Sequence, residues 1–135
     1  MTAPTGGRSL FLGLIGAPYE SDLFTTATRM AEEAVRQGHQ TTLWTCGYST
    51  ALTVAGLAPT KPRNLTEWDR GYPSPAALAT HLIDWSAGRL AWLVCRYCAE
   101  ERGASAQIPA VRIRPPYEFV ERSRAADVSL VLGTK

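Results

Sequence analysis

The three cysteines of this 135-residue chain are the residues best suited to chemistry. Cys95 and Cys98 form a C-x-x-C pair, and Cys46 stands far from them in the sequence. A thiol that has lost its proton is both a nucleophile and a metal ligand. An odd and small number of cysteines is untypical of a secreted, disulfide-stapled scaffold. The sequence therefore predicts free thiols in a reducing compartment.

Two familiar uses of a C-x-x-C pair fit this sequence poorly. A thioredoxin-like dithiol also opens a helix, but the cis-proline strand and the element order of that fold are not found here. A zinc knuckle needs a second C-x-x-C pair, and neither His39 nor His81 has the spacing of a ligand. We therefore predict no metal and no cofactor. Cys95 is expected to be the primary thiol, with Cys98 as a candidate resolving partner.

The alternation of apolar runs with helical patterns predicts an α/β domain. Strands are expected at 10–15, 40–46, 90–94 and 128–132, an extended piece at 108–113, and helices at 23–37, 75–86, 95–103 and 116–125. This order is typical of a three-layer sandwich with a mainly parallel sheet of four or five strands. Residues 1–8 are expected to form a flexible arm, and residues 9–135 a single domain.

The cysteines fall where such a sheet binds ligands, outside the carboxyl ends of its strands. Cys46 and Cys95 end two of the predicted strands, and Tyr19 follows another at the same edge. A thiol at the start of a helix faces unpaired backbone N–H groups, which favour the thiolate, and Arg96 adds positive charge beside it. The alternative is that Cys95 is a small buried hydrophobe that ends a strand.

Composition excludes several classes of function. The net charge of +2 arises from 14 basic and 12 acidic residues scattered along the chain, so no basic stripe marks a nucleic-acid binder. No apolar run approaches the ~20 residues of a membrane span. The first residues lack the pattern of a secretion signal, which favours the cytoplasm. The glycines at 13 and 16 match no phosphate loop, so no nucleotide is expected.

Three segments together resemble the DsrE/DsrF-like sulfur-relay family, which includes the TusD-type subunits of transfer-RNA thiolation. The resemblance covers roughly residues 9–57 and 89–132. It rests on Gly16-Ala17-Pro18-Tyr19 with the Gly38-His39 helix exit, on the strand ending at Cys95 with Arg102-Gly103 beyond it, and on the helix and strand of Val120–Val131. Cys98 and the excursion at 58–73 depart from the family pattern.

The resemblance implies a DsrE-like fold and a sulfurtransferase-type activity. Cys95 would accept sulfane sulfur as a persulfide and pass it to a partner protein or a biosynthetic acceptor. Cys98 or Cys46 would be the thiol that resolves this persulfide. Homomeric or heteromeric trimers or hexamers are common in the family. Two alternatives stay open, a non-catalytic assembly subunit of a sulfur-relay complex and a dithiol redox protein that uses Cys95 and Cys98.

Overall fold

The computed structural model describes residues 7–16, 22–57, 59–60 and 71–133. Strands and helices alternate along the chain, as the sequence predicts. The strands are β1 (Ser9–Ile15), β2 (Gln40–Cys46), β3 (Leu90–Cys95), β4 (Arg112–Arg114) and β5 (Val128–Gly133). The helices are α1 (Asp22–Arg36), α2 (Pro75–Trp85), α3 (Arg96–Glu101) and α4 (Tyr117–Ala125), and a 3-10 helix spans Gly47–Thr53.

All five strands form one parallel sheet in the order β4-β3-β2-β1-β5. The five strands of the sheet are the larger of the two predicted numbers, four or five. Every carboxyl end therefore lies at the same edge of the sheet, and β2 and β3 are direct neighbours there. The expected α/β fold is confirmed.

One face of the sheet, here called the helical face, carries the larger core. Its strand residues alternate with those of the opposite face, as the pleat requires. Leu12, Leu43 and Trp92 project from this face and are almost completely buried. They pack with the apolar sides of α1 and α2, including Ala31 and Leu82. Ser74 caps α2, since its hydroxyl accepts a hydrogen bond from the N–H of Ala77.

The opposite face, here called the sulfur face, has a smaller core of Phe11, Trp44, Leu93 and Cys95. Phe119 of α4 covers this core and meets the Phe11 and Trp44 rings edge-on, with centroids 5.2 and 5.8 Å away. A glycine at position 13 allows this approach, because a Cβ there would lie 3.1 Å from Cε2 of Phe119. The sequence therefore places a small residue where the covering ring comes closest to the sheet.

The predicted boundaries differ from the observed ones in a few places. The first helix, expected at 23–37, runs from Asp22 to Arg36. A 3-10 helix follows β2 directly, at Gly47–Thr53. The extended piece becomes an edge strand, β4, at 112–114. Most of the excursion at 58–73 and most of the arm at 1–8 lie outside the described residues.

Within the described part of the chain, no helix combines the length and apolar character needed to cross a membrane.

Candidate thiol site

Neighbouring strand ends bring two of the cysteines together. β2 and β3 pair in parallel as far as Thr45 and Val94, and the next residue on each strand is Cys46 or Cys95. Residues in line on neighbouring strands project from the same face. Glycine at position 47 has a positive φ of 62° and turns the chain sharply after Cys46. Both thiols therefore lie on the sulfur face at the carboxyl edge of the sheet.

The short helix α3 adds the third thiol. Cys95 caps this helix, and Cys98 lies within its first turn. The sulfur atoms of Cys46, Cys95 and Cys98 all lie within 4.8 Å of one another. Cys95 is only 2% exposed, whereas Cys46 and Cys98 are half-buried. All three are free thiols. The structure thus joins the C-x-x-C pair to the distant Cys46 in one cluster.

Gln107 ties together the two segments that carry these thiols. Its side-chain amide donates hydrogen bonds to the backbone carbonyls of Thr50, at 2.9 Å, and Ala104, at 2.6 Å. Its side-chain oxygen accepts a hydrogen bond from the Thr53 hydroxyl. The backbone N–H of Ile108 also donates to the carbonyl of Thr53 at 2.9 Å. The 3-10 helix after Cys46 and the segment after α3 are therefore held against each other.

Burial suppresses ionisation of Cys46 and Cys95. It raises the pKa of Cys46 from about 9 to about 12, although the Trp44 indole N–H, which donates to its sulfur at 2.9 Å, acts in the opposite direction. Burial also raises the pKa of Cys95, and a hydrogen bond from the backbone N–H of Cys98 opposes this only in part. The sequence predicted a thiolate favoured by the helix start. That contribution exists, but desolvation exceeds it.

The other residues predicted for the site do not join the cluster. Arg96 is exposed and forms an i,i+4 ion pair with Glu100 at 3.5 Å. The Arg102 guanidinium lies 4.7 Å from the centre of the Tyr48 ring. Tyr19 falls outside the described residues. Among the described residues, the cluster itself is therefore formed by the three cysteines and the Trp44 indole that contacts one of them.

Sequence reasoning missed two residues that shape the site. Arg114 pairs with Cys95 across β3 and β4, so both side chains leave the sheet on the sulfur face. Its Nε is buried and has no hydrogen-bond partner among the described residues. The alternating Arg-Ile-Arg of β4 carried a signal for this placement. Gln107 carried none, because two of its partners, Thr50 and Thr53, lie more than 50 residues away.

Comparison with known proteins shows the fold. The crystal structure of the ychN protein from E. coli matches with a TM-score of 0.70 and 20% sequence identity, over 93% of this chain and 99% of that chain. No family model and no curated protein sequence matches the chain. The likeness confirms the expected DsrE-like α/β sandwich with its five-stranded parallel sheet. At this level of identity it establishes the fold alone.

Three neighbouring thiols at the carboxyl edge of the sheet can take part in a limited set of reactions. A thiol that loses its proton can attack the outer sulfur of a persulfide, form a disulfide with a neighbouring thiol, or bind a soft metal ion. Because burial raises the pKa values of Cys46 and Cys95, a reaction of either thiol needs a step that removes its proton.

Proposed function

We propose that this protein is a sulfur carrier of the sulfurtransferase type, in which Cys95 holds sulfane sulfur as a persulfide. The clustering of the three sulfurs within 4.8 Å at the carboxyl edge of a DsrE-like sheet carries this proposal. The donor and the acceptor are partner proteins or a biosynthetic acceptor in the cytoplasm. The fold likeness supports the proposal but does not by itself assign the activity.

The proposed transfer balances without an external oxidant. The Cys95 thiolate attacks the outer sulfur of a donor persulfide, R–S–SH, and R–S⁻ leaves as the S–S bond breaks, which produces Cys95–S–SH. A second thiolate, from Cys98 or Cys46, attacks the Cys95 sulfur of that persulfide. Hydrosulfide leaves and a disulfide remains, or the outer sulfur passes instead to an acceptor thiolate.

The difference in exposure gives the three thiols different positions in this scheme. Cys95 is almost fully buried, which shelters a persulfide from water and from stray thiols. Cys46 and Cys98 are half-buried, and their sulfurs lie within 4.8 Å of the Cys95 sulfur, within reach of an incoming sulfur. We expect them to take part in loading or resolution, while Cys95 retains the sulfur.

Oligomer formation, as a homomer or with sister subunits, is part of the proposal. β5 is an edge strand, and Val128, Leu130 and Val131 on it are 40%, 39% and 54% exposed. An apolar strand edge readily pairs with another chain. A non-catalytic assembly subunit would use the same surface. It differs from a carrier in having no thiol that loads with sulfur.

Mass spectrometry after incubation with a cysteine desulfurase and cysteine tests the proposed function. Wild type is compared with Cys95→Ser, Cys98→Ser and Cys46→Ser, and the adduct is mapped on peptides. The expected result is a one-sulfur adduct on Cys95 that disappears only in Cys95→Ser. An adduct that survives Cys95→Ser contradicts the assignment of the site.

Two further outcomes favour the alternatives. No adduct from several sulfur donors, with the protein folded and reduced, favours the assembly subunit. A dithiol redox protein is supported by the closeness of Cys95 and Cys98. A clean internal disulfide with reductase activity on insulin, and no sulfur adduct, favours that reading.

A further inference from the structure

The three sulfurs are arranged as a compact triangle, and this geometry suits a metal ion as well as sulfur. In a site with metal–sulfur bonds of about 2.3 Å, the sulfurs lie roughly 3.8–4.0 Å apart. The sulfurs of this cluster lie within 4.8 Å of one another. Side-chain shifts of less than about 1 Å would therefore bring all three to bonding distance. We propose that Cys46, Cys95 and Cys98 form a three-thiolate site for a thiophilic metal ion, Zn²⁺ or Cu⁺.

The ligand set selects the class of ion. Thiolates favour Cu⁺ and Zn²⁺, whereas Mg²⁺ and Ca²⁺ require oxygen ligands. Among the described residues, the group contains cysteines alone, with no carboxylate or imidazole in it. The C-x-x-C pair by itself predicted no metal, because the sequence offered no further ligand at a recognisable spacing. The parallel pairing of β2 and β3 supplies that ligand in Cys46.

The surroundings of the sulfurs are suited to metal-bound thiolates. The indole N–H of Trp44 donates a hydrogen bond to the Cys46 sulfur at 2.9 Å. Such donors orient ligands and stabilise their charge in metal sites. The Leu93 side chain, also part of this small core, adds an apolar wall that excludes water. The Cys46 sulfur is therefore oriented by a donor before an ion arrives.

Metal binding replaces the protons of the three thiols with the charge of the ion. On binding, each of the three thiols releases one proton and no electron moves. Three thiolates with Zn²⁺ carry a net charge of −1, and three thiolates with Cu⁺ carry −2. Arg114 pairs with Cys95 and leaves the sheet on the same face, so its positive charge would offset part of the negative charge that remains.

Coordination number separates the two ions. Zn²⁺ prefers four ligands, and three protein ligands with one water is a common arrangement for it. Cu⁺ is satisfied by three sulfurs. Cys46 and Cys98 are both half-buried, so water can approach a fourth position beside them. The same three thiolates therefore accommodate either ion, and the fourth ligand reveals which one is held.

Anaerobic titration of the reduced, full-length protein tests the proposal. Zn²⁺ is added against a chromophoric zinc chelator, and Cu⁺ against a copper(I)-selective chelator. Co²⁺ serves as a spectroscopic substitute for zinc, because thiolate-to-cobalt charge-transfer bands count sulfur ligands. We expect one equivalent to bind, with X-ray absorption showing three sulfurs and one oxygen for zinc or three sulfurs alone for copper.

Serine variants distinguish a three-thiolate site from weaker arrangements. We expect Cys46→Ser, Cys95→Ser and Cys98→Ser each to weaken binding by more than about 100-fold, beyond the ~10–100-fold lost with a hydrogen-bonding neighbour of a ligand. Tyr97→Phe is the matched control, since Tyr97 lies between two of the ligands but is exposed, and we expect it to bind as wild type does. Circular dichroism checks whether Cys95→Ser is folded. If it is not, Cys46→Ser and Cys98→Ser provide the test, because those two positions are only half-buried.

Two results would overturn the proposal. The first is stoichiometric binding that survives Cys46→Ser unchanged, which would show a C-x-x-C pair acting alone. The second is failure of both Zn²⁺ and Cu⁺ to bind the reduced protein. Neither titration contains a sulfur donor, so its outcome is independent of the persulfide assay. Sulfur loading without metal binding would leave only the proposed function standing, and the reverse would leave only the metal site.

Discussion

The two faces of the sheet divide stability and chemistry between them. On the helical face, strand residues such as Leu12 and Trp92 are sealed beneath α1 and α2, and they form the larger core. On the sulfur face, the covering helix α4 has no fully buried residue of its own, and one aromatic ring does most of the covering. The larger core on the helical face can therefore supply most of the free energy of folding. The sulfur face shelters the thiols but leaves Cys46 and Cys98 half-buried, so partner molecules can reach them.

The largest effect is expected from a cavity on the helical face. Leu43→Ala removes a completely buried side chain, and we expect a loss of about 2–5 kcal/mol in the free energy of unfolding. The alkylation rates of the native thiols should stay unchanged, since Leu43 faces away from them. Urea denaturation measures the first quantity, and mass-spectrometric alkylation the second. Leu130→Ala, at a 39% exposed position on β5, is the control with a much smaller loss.

Faster alkylation together with the loss of stability in Leu43→Ala would show that the two faces are coupled. The proposed division of roles would then be wrong.

A smaller loss of stability, but a clear change in reactivity, is expected on the sulfur face. Phe119→Ala removes the ring that covers Phe11 and Trp44. Because Phe119 is only half-buried, we expect about 1–3 kcal/mol, below the ~3–5 kcal/mol of a fully buried phenylalanine. We expect Cys46 and Cys98 to be alkylated faster in the native state, as measured by quenched mass spectrometry.

Tyr117→Ala, at a 64% exposed position of the same helix, is the matched control and should change neither quantity. Unaltered thiol reactivity in Phe119→Ala would mean that α4 does not protect the cluster.

Helix capping also differs between the faces. α2, on the helical face, has the Ser74 hydroxyl as its cap, whereas α4 begins after Pro116 without a side-chain cap. We expect Ser74→Ala to reduce the free energy of unfolding by about 1 kcal/mol, because one backbone N–H loses its acceptor. Thermal or urea denaturation gives this value, with Ser105→Ala in an exposed loop as the control. A loss equal to the control would show that the cap adds nothing.

The smallest effect is a dependence of stability on alkaline pH. The pKa of Cys46 is about 9 in a solvated thiol and about 12 in the folded protein. Between pH 9 and pH 12 the Cys46 thiol loses its proton in the unfolded chain but keeps it in the folded protein, which favours unfolding. The contribution of this thiol to stability is therefore complete below pH 9 and is lost as the pH rises towards 12. Because Cys46 is half-buried, we expect less than about 1 kcal/mol at pH 10.

The measurement is the slope of unfolding free energy against pH from 8 to 10.5 in wild type and in Cys46→Ala. A constant packing loss in the variant cancels, because only the slopes are compared. Wild type should fall more steeply. Equal slopes would contradict the suppressed ionisation of this thiol.

Much of the fold could be read from local pattern. The strand at Gln40–Cys46 has its predicted bounds, and the helix expected at 75–86 begins at Pro75, directly after the Ser74 cap. Both features depend on neighbours in sequence, namely apolar runs for buried parallel strands and a hydroxyl for a helix start. The edge strand β4 was expected only as a brief extended piece, because three residues are too few for a pattern.

The candidate site was only partly predictable. The edge of the sheet and the placement of Cys46 and Cys95 on it followed from strand ends in an α/β fold. The raised pKa values did not follow, because they depend on how much of each thiol Trp44, Phe119 and the neighbouring sulfurs remove from water. The Gln107 contacts were likewise hidden, since they join segments more than 50 residues apart.

The sequence by itself determined the parallel α/β architecture, the strand-end positions of two cysteines, and the single helical turn that separates Cys95 from Cys98. These properties are local, because hydrophobic periodicity and chain-breaking residues set them. Only the tertiary structure decided that β2 lies beside β3, that three sulfurs meet within 4.8 Å, and that burial raises the pKa values of Cys46 and Cys95. Strand order and desolvation depend on contacts between distant segments, and no local pattern encodes them.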